Sequence, residues 1–255
     1  MTEQLFATSH NFFFLVFVFF ASLSSYNLHA SFNKGWSAGS VRLNWILTHK
    51  SLLLASFLIS GAATAIAFIP LAGFYLWIIP VSILSFLYSL PRIIRTPGNI
   101  LKTLVYFKTL YLAVIWTFVT VALPLIIHRI SPRPGQLIFM SNRFFLIFLV
   151  SILFEYRERN SGIPRNRDNF IGRMNEAGFD SLFYLLSLLF LITAGFGFQG
   201  PFSFTGPVSA VLPLILLLST YSKSKSTRSD YWFYLFVDGM LMMQGILMIA
   251  YSALH

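Results

Sequence analysis

The chain has 255 residues, of which 56% are hydrophobic and only 10% charged, with a net charge of +10. A water-facing surface takes about 25% charged residues, so this composition excludes a soluble globular protein and implies an all-α integral membrane protein, with residues 1–255 as a single helical domain. The absence of cysteine excludes disulfides, thiolate metal sites and cysteine nucleophiles. The basic excess is scattered over short loops, which points to the lipid bilayer and to phosphorylated or anionic ligands, not to nucleic acid.

A spanning helix takes about 20 mostly apolar residues. Eight segments meet that length, at 11–28, 51–70, 72–90, 105–127, 137–155, 180–198, 205–221 and 231–253. The first is expected to be retained and not cleaved, because Met1 to His10 holds no basic stretch and no small-residue cleavage site precedes Tyr26-Asn27-Leu28-His29. Pro80, Pro124, Pro207 and Pro213 lie inside or near the ends of segments, where neighbouring helices make the lost hydrogen bond tolerable in lipid.

Alternating the eight segments places loops 29–50, 91–104, 156–179 and 222–230 on one side. With Lys108 adjoining, that side collects fifteen of the eighteen Lys/Arg; the other keeps Arg129, Arg133 and Arg143. Positive charge stays cytoplasmic, so the long polar loops are expected to face the cytoplasm and both termini the outside, as in a bacterial inner membrane.

Polar chemistry collects on that face. The stretch from Phe154 to Asp168 carries three of the eight carboxylates (Glu155, Glu158, Asp168) and four Lys/Arg. Carboxylates at i, i+3 where a membrane helix meets water suit a divalent cation, and the arginines around them suit an anion; a solvated loop of mixed charge fits the same spacing. Arg92 and Arg95, also i, i+3, would project together from a helix end and grip phosphate oxygens in pairs, with topological anchoring as the alternative. Asp238 sits about two turns inside the last segment beside Gly239; a carboxylate in lipid normally faces a polar cavity. Gln244, deeper, reads as a helix-to-helix hydrogen bond. His29 reads as a solvated loop histidine. No glycine-rich phosphate loop, HExxH pair or Gly-x-Ser-x-Gly elbow is present.

The chain resembles the UbiA superfamily of intramembrane prenyltransferases. Tyr88-Ser89-Leu90-Pro91-Arg92 through Leu101-Lys102 to Trp116, Thr120 and Pro124 is similar to that family's aromatic-x-x-Pro-Arg, Leu-Lys and Trp-x-x-x-Thr sequence. Phe154-Glu155-Tyr156-Arg157-Glu158 resembles its Phe-Asp-x-Arg-Asp motif. Tyr231-Trp232-Phe233-Tyr234 with Asp238-Gly239 resembles the final helix of bacterial members, and Tyr26-Asn27 falls where the first Asn-Asp-x-x-Asp motif would start. The resemblance implies a helical bundle, here without the helix that precedes the first motif, around a cavity open to the cytoplasm.

It further implies Mg²⁺ held by Glu155, Glu158 and Asp168, with Asn27 alone remaining of the first motif. Isoprenoid diphosphate would be held by Arg92, Arg95, Lys102 and Arg157, with Tyr88 and Asp238 facing the cavity. The activity implied is transfer of an isoprenyl chain from an allylic diphosphate to a lipophilic acceptor. The first motif has no carboxylates, which makes a two-site metal cluster improbable and leaves a second reading: a catalytically inactive relative binding a lipid or a membrane-protein partner. A small transporter is a third reading, without the paired half-repeats that would support it.

Overall fold

A computed structural model describes residues 11–31, 41–87, 106–159, 169–196, 205–227, 229 and 231–254. They are helical, with no strand among them. Five helical runs are long and apolar enough to cross a membrane: Phe12–Ser31, Lys50–Leu87, Lys108–Ile127, Pro134–Arg159 and Glu176–Phe196. Two shorter apolar helices, Pro207–Ser219 and Trp232–Leu247, follow. These helices leave many large apolar side chains exposed, among them Leu185, Leu188, Leu191 and Ile192 on one helix. Such surfaces suit lipid and not water, and the chain is an integral membrane protein.

The chain divides into two compact units, one spanning residues 9–105 and one containing 106–255. In the first, α1 (Phe12–Ser31), the short α2 (Val41–Thr48) and α3 (Lys50–Phe68) lead through a 3₁₀ segment (Ile69–Phe74) into α4 (Tyr75–Leu87). Polar links join α1 to α3: Ser24 Oγ donates to the Phe57 carbonyl at 3.4 Å and Asn27 Nδ2 to Ser56 Oγ at 2.8 Å. Such bonds, with close packing, hold helices together where lipid removes the hydrophobic drive.

The loop expected near residue 71 is absent, which corrects the boundary between segments 51–70 and 72–90. Pro70 falls in the first turn of the 3₁₀ segment, where its missing N–H breaks no helical bond. Phe68, Ile69 and Tyr75 all keep right-handed helical angles, so the run continues from Lys50 to Leu87. The expected placement of the N-terminus outside depended on the lost reversal.

In the second unit, α5 (Lys108–Thr117) widens into a π-helical turn (Phe118–Ala122) ahead of α6 (Leu123–Ile127). Pro124 explains the widening: it has no N–H for the carbonyl one turn back. Then come α7 (Pro134–Arg159), α8 (Glu176–Phe196), α9 (Thr205–Ser219) and α10 (Tyr221–Ser226). A second π segment (Trp232–Val237) precedes α11 (Gly239–Leu254). The long α7 is central, packing against α5, α8, α10 and α11. Its Phe139, Leu146, Leu149 and Ile152 interlock with Phe179, Phe183 and Phe190 of α8 and Phe233 of the π segment, all fully buried.

Candidate functional site

The polar end of the second unit is assembled from four pieces of sequence that are far apart. Lys108 opens α5; Glu155 and Glu158 lie in the last turns of α7; Asn169 starts the segment before α8; Tyr221 and Lys225 lie on α10. A carboxylate at a helix C-terminus opposes the helix dipole, and so does a lysine at an N-terminus. Here each relieves the other. Lys108 Nζ lies 3.0 Å from Glu155 Oε2 and 3.2 Å from Glu158 Oε2.

Glu155 is 4% exposed, and its other oxygen accepts a hydrogen bond from Asn169 Nδ2. Asn169 is buried too, and its Oδ1 accepts from the Gly172 N–H at 2.5 Å. A carboxylate this deep needs both partners, because an unpaired buried charge is costly.

Arg157 points elsewhere. Its guanidinium carbon lies 4.5 Å from the Phe233 ring centroid, 5.3 Å from Phe154 and 5.4 Å from Tyr234. Three ring faces thus share one cation, an arrangement worth about 0.5–2 kcal/mol. The second π segment supplies two of the three rings.

A separate ionic network sits beside the acid pair. Arg159 pairs with Glu176 and donates to the Met174 carbonyl at 2.7 Å. Lys225 Nζ bridges Asp180 Oδ1 at 2.6 Å and Glu176 Oε2 at 3.1 Å, while Tyr156 and Tyr221 donate to Glu176 and Asp180. Burial alone would lower the Lys225 pKa, but its hydrogen bonds to Asp180 and Glu176 outweigh that and raise it. Burial first, and then the bond to Asp180, raise the Tyr221 phenol.

Of the residues expected at the site, Glu155, Glu158 and Arg157 meet at this end. Arg92, Arg95, Lys102, Tyr88 and Asp168 lie outside the described residues. Asn27 belongs to the other unit, where its amide is engaged by Ser56. Asp238 follows the second π segment with its side chain exposed, and its N–H bonds to the Phe233 carbonyl at 2.9 Å. Lys108 and Asn169, which hold Glu155, were not among the expected site residues.

The set as arranged does not fit Mg²⁺. The point on which the two glutamates converge is taken by an ammonium, and the Asn169 amide presents a donor. No group of three Asp, Glu, His or Cys comes together among the described residues. Mg²⁺ demands oxygen ligands at about 2.0–2.1 Å in near-octahedral array. What the end offers instead is an alternation of carboxylates, cations and aromatic faces.

No family model, curated protein or solved structure matches the chain.

Proposed function

We propose that the chain is a membrane-embedded prenyltransferase-like protein, moving an isoprenyl chain from an allylic diphosphate to a lipophilic acceptor. The observation that supports this reading is the presence of two cations, Lys108 and the ring-held Arg157, at the polar end of an apolar helical unit. An isoprenoid diphosphate has the matching chemistry: a polyanionic head and a tail that partitions into lipid.

In the transfer, the bond between C1 and the bridging oxygen breaks, and its electron pair leaves with the diphosphate. C1 then bonds to a nucleophilic atom of the acceptor, whose proton passes to water. The charge that develops on the leaving group is stabilised by fixed cations aimed at it, the role assigned to Lys108 and Arg157. Arg92, Arg95 and Lys102 join them through the resemblance. Mg²⁺ and the ligand roles of Glu155, Glu158, Asp168 and Asn27 also rest on the resemblance, and no step is assigned to the metal. The basic excess supports a cytoplasmic position for this end, as in a bacterial inner membrane.

A second reading, a catalytically inactive relative that binds a lipid or membrane-protein partner, is favoured by Lys108 standing between the two carboxylates and by Asn27 being tied to Ser56. Pyrophosphate release from dimethylallyl, geranyl, farnesyl and geranylgeranyl diphosphates by the purified protein, with and without Mg²⁺, separates the two. Release lost in both Glu155→Gln and Glu158→Gln supports transfer. No release from any diphosphate, with binding indifferent to both changes, rules it out.

A further inference from the structure

Asn142 and Arg143 interrupt the apolar run of α7. Arg143 lies nine residues from Pro134, roughly 13 Å along the helix and within a candidate membrane span. Adjacent side chains on a helix point in different directions, and these two address different partners. Asn142 Nδ2 donates to the Phe190 carbonyl at 3.0 Å and to Thr193 Oγ1 at 3.2 Å, both on α8. Arg143 Nη1 donates to Gln244 Oε1 on α11 at 3.0 Å.

The Asn142 bonds are helix-to-helix links. They leave Asn142 Oδ1, an acceptor, buried without a partner among the described residues, whereas the Arg143 bond leaves a donor over. It fixes the Gln244 amide with its oxygen toward the guanidinium, which leaves Nε2 buried without an acceptor although Gln244 is 0% exposed. No carboxylate pairs with Arg143 among the described residues. A guanidinium carries five N–H donors and no acceptor, so this point in the membrane holds a positive charge and a surplus of donors. Both are costly in lipid unless something answers them. Phe139 and Leu146, one turn to either side on α7, and Met240, one turn before Gln244 on α11, are buried and apolar.

The complement of a positive, donor-rich point in apolar surroundings is an acceptor-only anion on an apolar body. A carboxylate fits best, since its two oxygens match the planar guanidinium fork and leave lone pairs for an amide N–H. We propose that Arg143 and Gln244 form an intramembrane site for the carboxylate of a lipophilic acid. Arg143 pairs with the carboxylate, and Gln244 Nε2 donates to it. The site does not rest on the prenyl-transfer reading, whose residues lie at the far end of α7.

Binding of decanoate, 4-butylbenzoate and decanol to the purified full chain in neutral detergent tests this. Either acid is expected to bind saturably and decanol not, and the stronger of the two assigns an aliphatic or an aromatic acid. Arg143→Gln is expected to weaken acid binding more than tenfold. Should it fail to fold, Arg143→Lys, which keeps the charge and loses the fork, and Gln244→Leu are each expected to weaken binding severalfold. Absence of saturable acid binding, decanol binding as tightly, or acid binding unchanged in the folded variants overturns the proposal.

Discussion

Lys108 and Glu155 are 47 residues apart in sequence and 3.0 Å apart in space. The pair joins the first turn of one membrane helix to the last turns of another and neutralises a carboxylate that is almost wholly buried. Lys108→Met takes the ammonium away from that charge. The expected cost is about 1–3 kcal/mol, below the 3–5 kcal/mol typical of fully buried pairs because the lysine is partly exposed. Combining it with Glu155→Gln should recover part of the loss. Thermal melts of the purified protein in detergent read both, and strictly additive losses would show that the two side chains are not coupled.

Asn169 is expected to matter as much as a charged residue. It donates to Glu155 and accepts from the Gly172 N–H, so Asn169→Leu removes one partner from the buried Glu155 carboxylate and one from the part-buried Gly172 N–H, at a cost of about 1–3 kcal/mol. Asn169→Asp should be worse than Asn169→Leu, since it sets a second carboxylate against Glu155. Equal melting temperatures for the two variants would contradict this arrangement.

Alkaline pH should loosen the end where α8 meets α10. Lys225 has its folded pKa raised by Asp180 and Glu176 against the opposing effect of burial, and Tyr221 is raised by burial and Asp180. A raised folded pKa contributes stability that is fully present below the unfolded value and is lost as pH rises through the folded one. The unfolded values are about 10.4 for Lys and 10 for Tyr. Melting temperature is therefore expected to hold up to about pH 10 and fall above it, with a smaller fall in Lys225→Met. An equal fall in that variant would remove Lys225 from the account.

The cysteine-free sequence makes sidedness directly measurable. Ser131, in the link between α6 and α7, and Ser226, at the end of α10, are both exposed and lie at opposite ends of the second unit. In intact cells a membrane-impermeant maleimide should label Ser131→Cys and spare Ser226→Cys. The reverse pattern would invert the positive-inside assignment.

Much of this architecture was legible in the sequence, for reasons that differ by residue. Apolar length and charge depletion mark the spans, because lipid tolerates little else over 20 residues. The spacing of Glu155 and Glu158 and their place at the end of an apolar run suited a cation or a solvated loop of mixed charge, and the two do converge on one point. That point holds Lys108, which no local pattern announces: a lysine at the start of a spanning helix reads as an anchor. Asn169 was equally silent, since its importance comes from burial beside Glu155. The boundary at residue 71 failed because Ile69-Pro70-Leu71 looks like a turn, whereas proline at the first turn of a 3₁₀ segment lets the run continue. Arg143 counted as an outer-side charge by sequence order, yet its partner Gln244 lies within a helix.

The central claim is that the polar end of α7 receives an isoprenoid diphosphate, and equilibrium binding tests it most directly. Farnesyl S-thiolodiphosphate, which resists cleavage, would be titrated into the purified chain in detergent with Mg²⁺ or EDTA, alongside Lys108→Met and Arg157→Gln. The account predicts saturable binding to the unaltered chain, weakened about tenfold, or about 1.4 kcal/mol, in each variant. No saturable binding under either condition, or equal affinity in all three proteins, would contradict it.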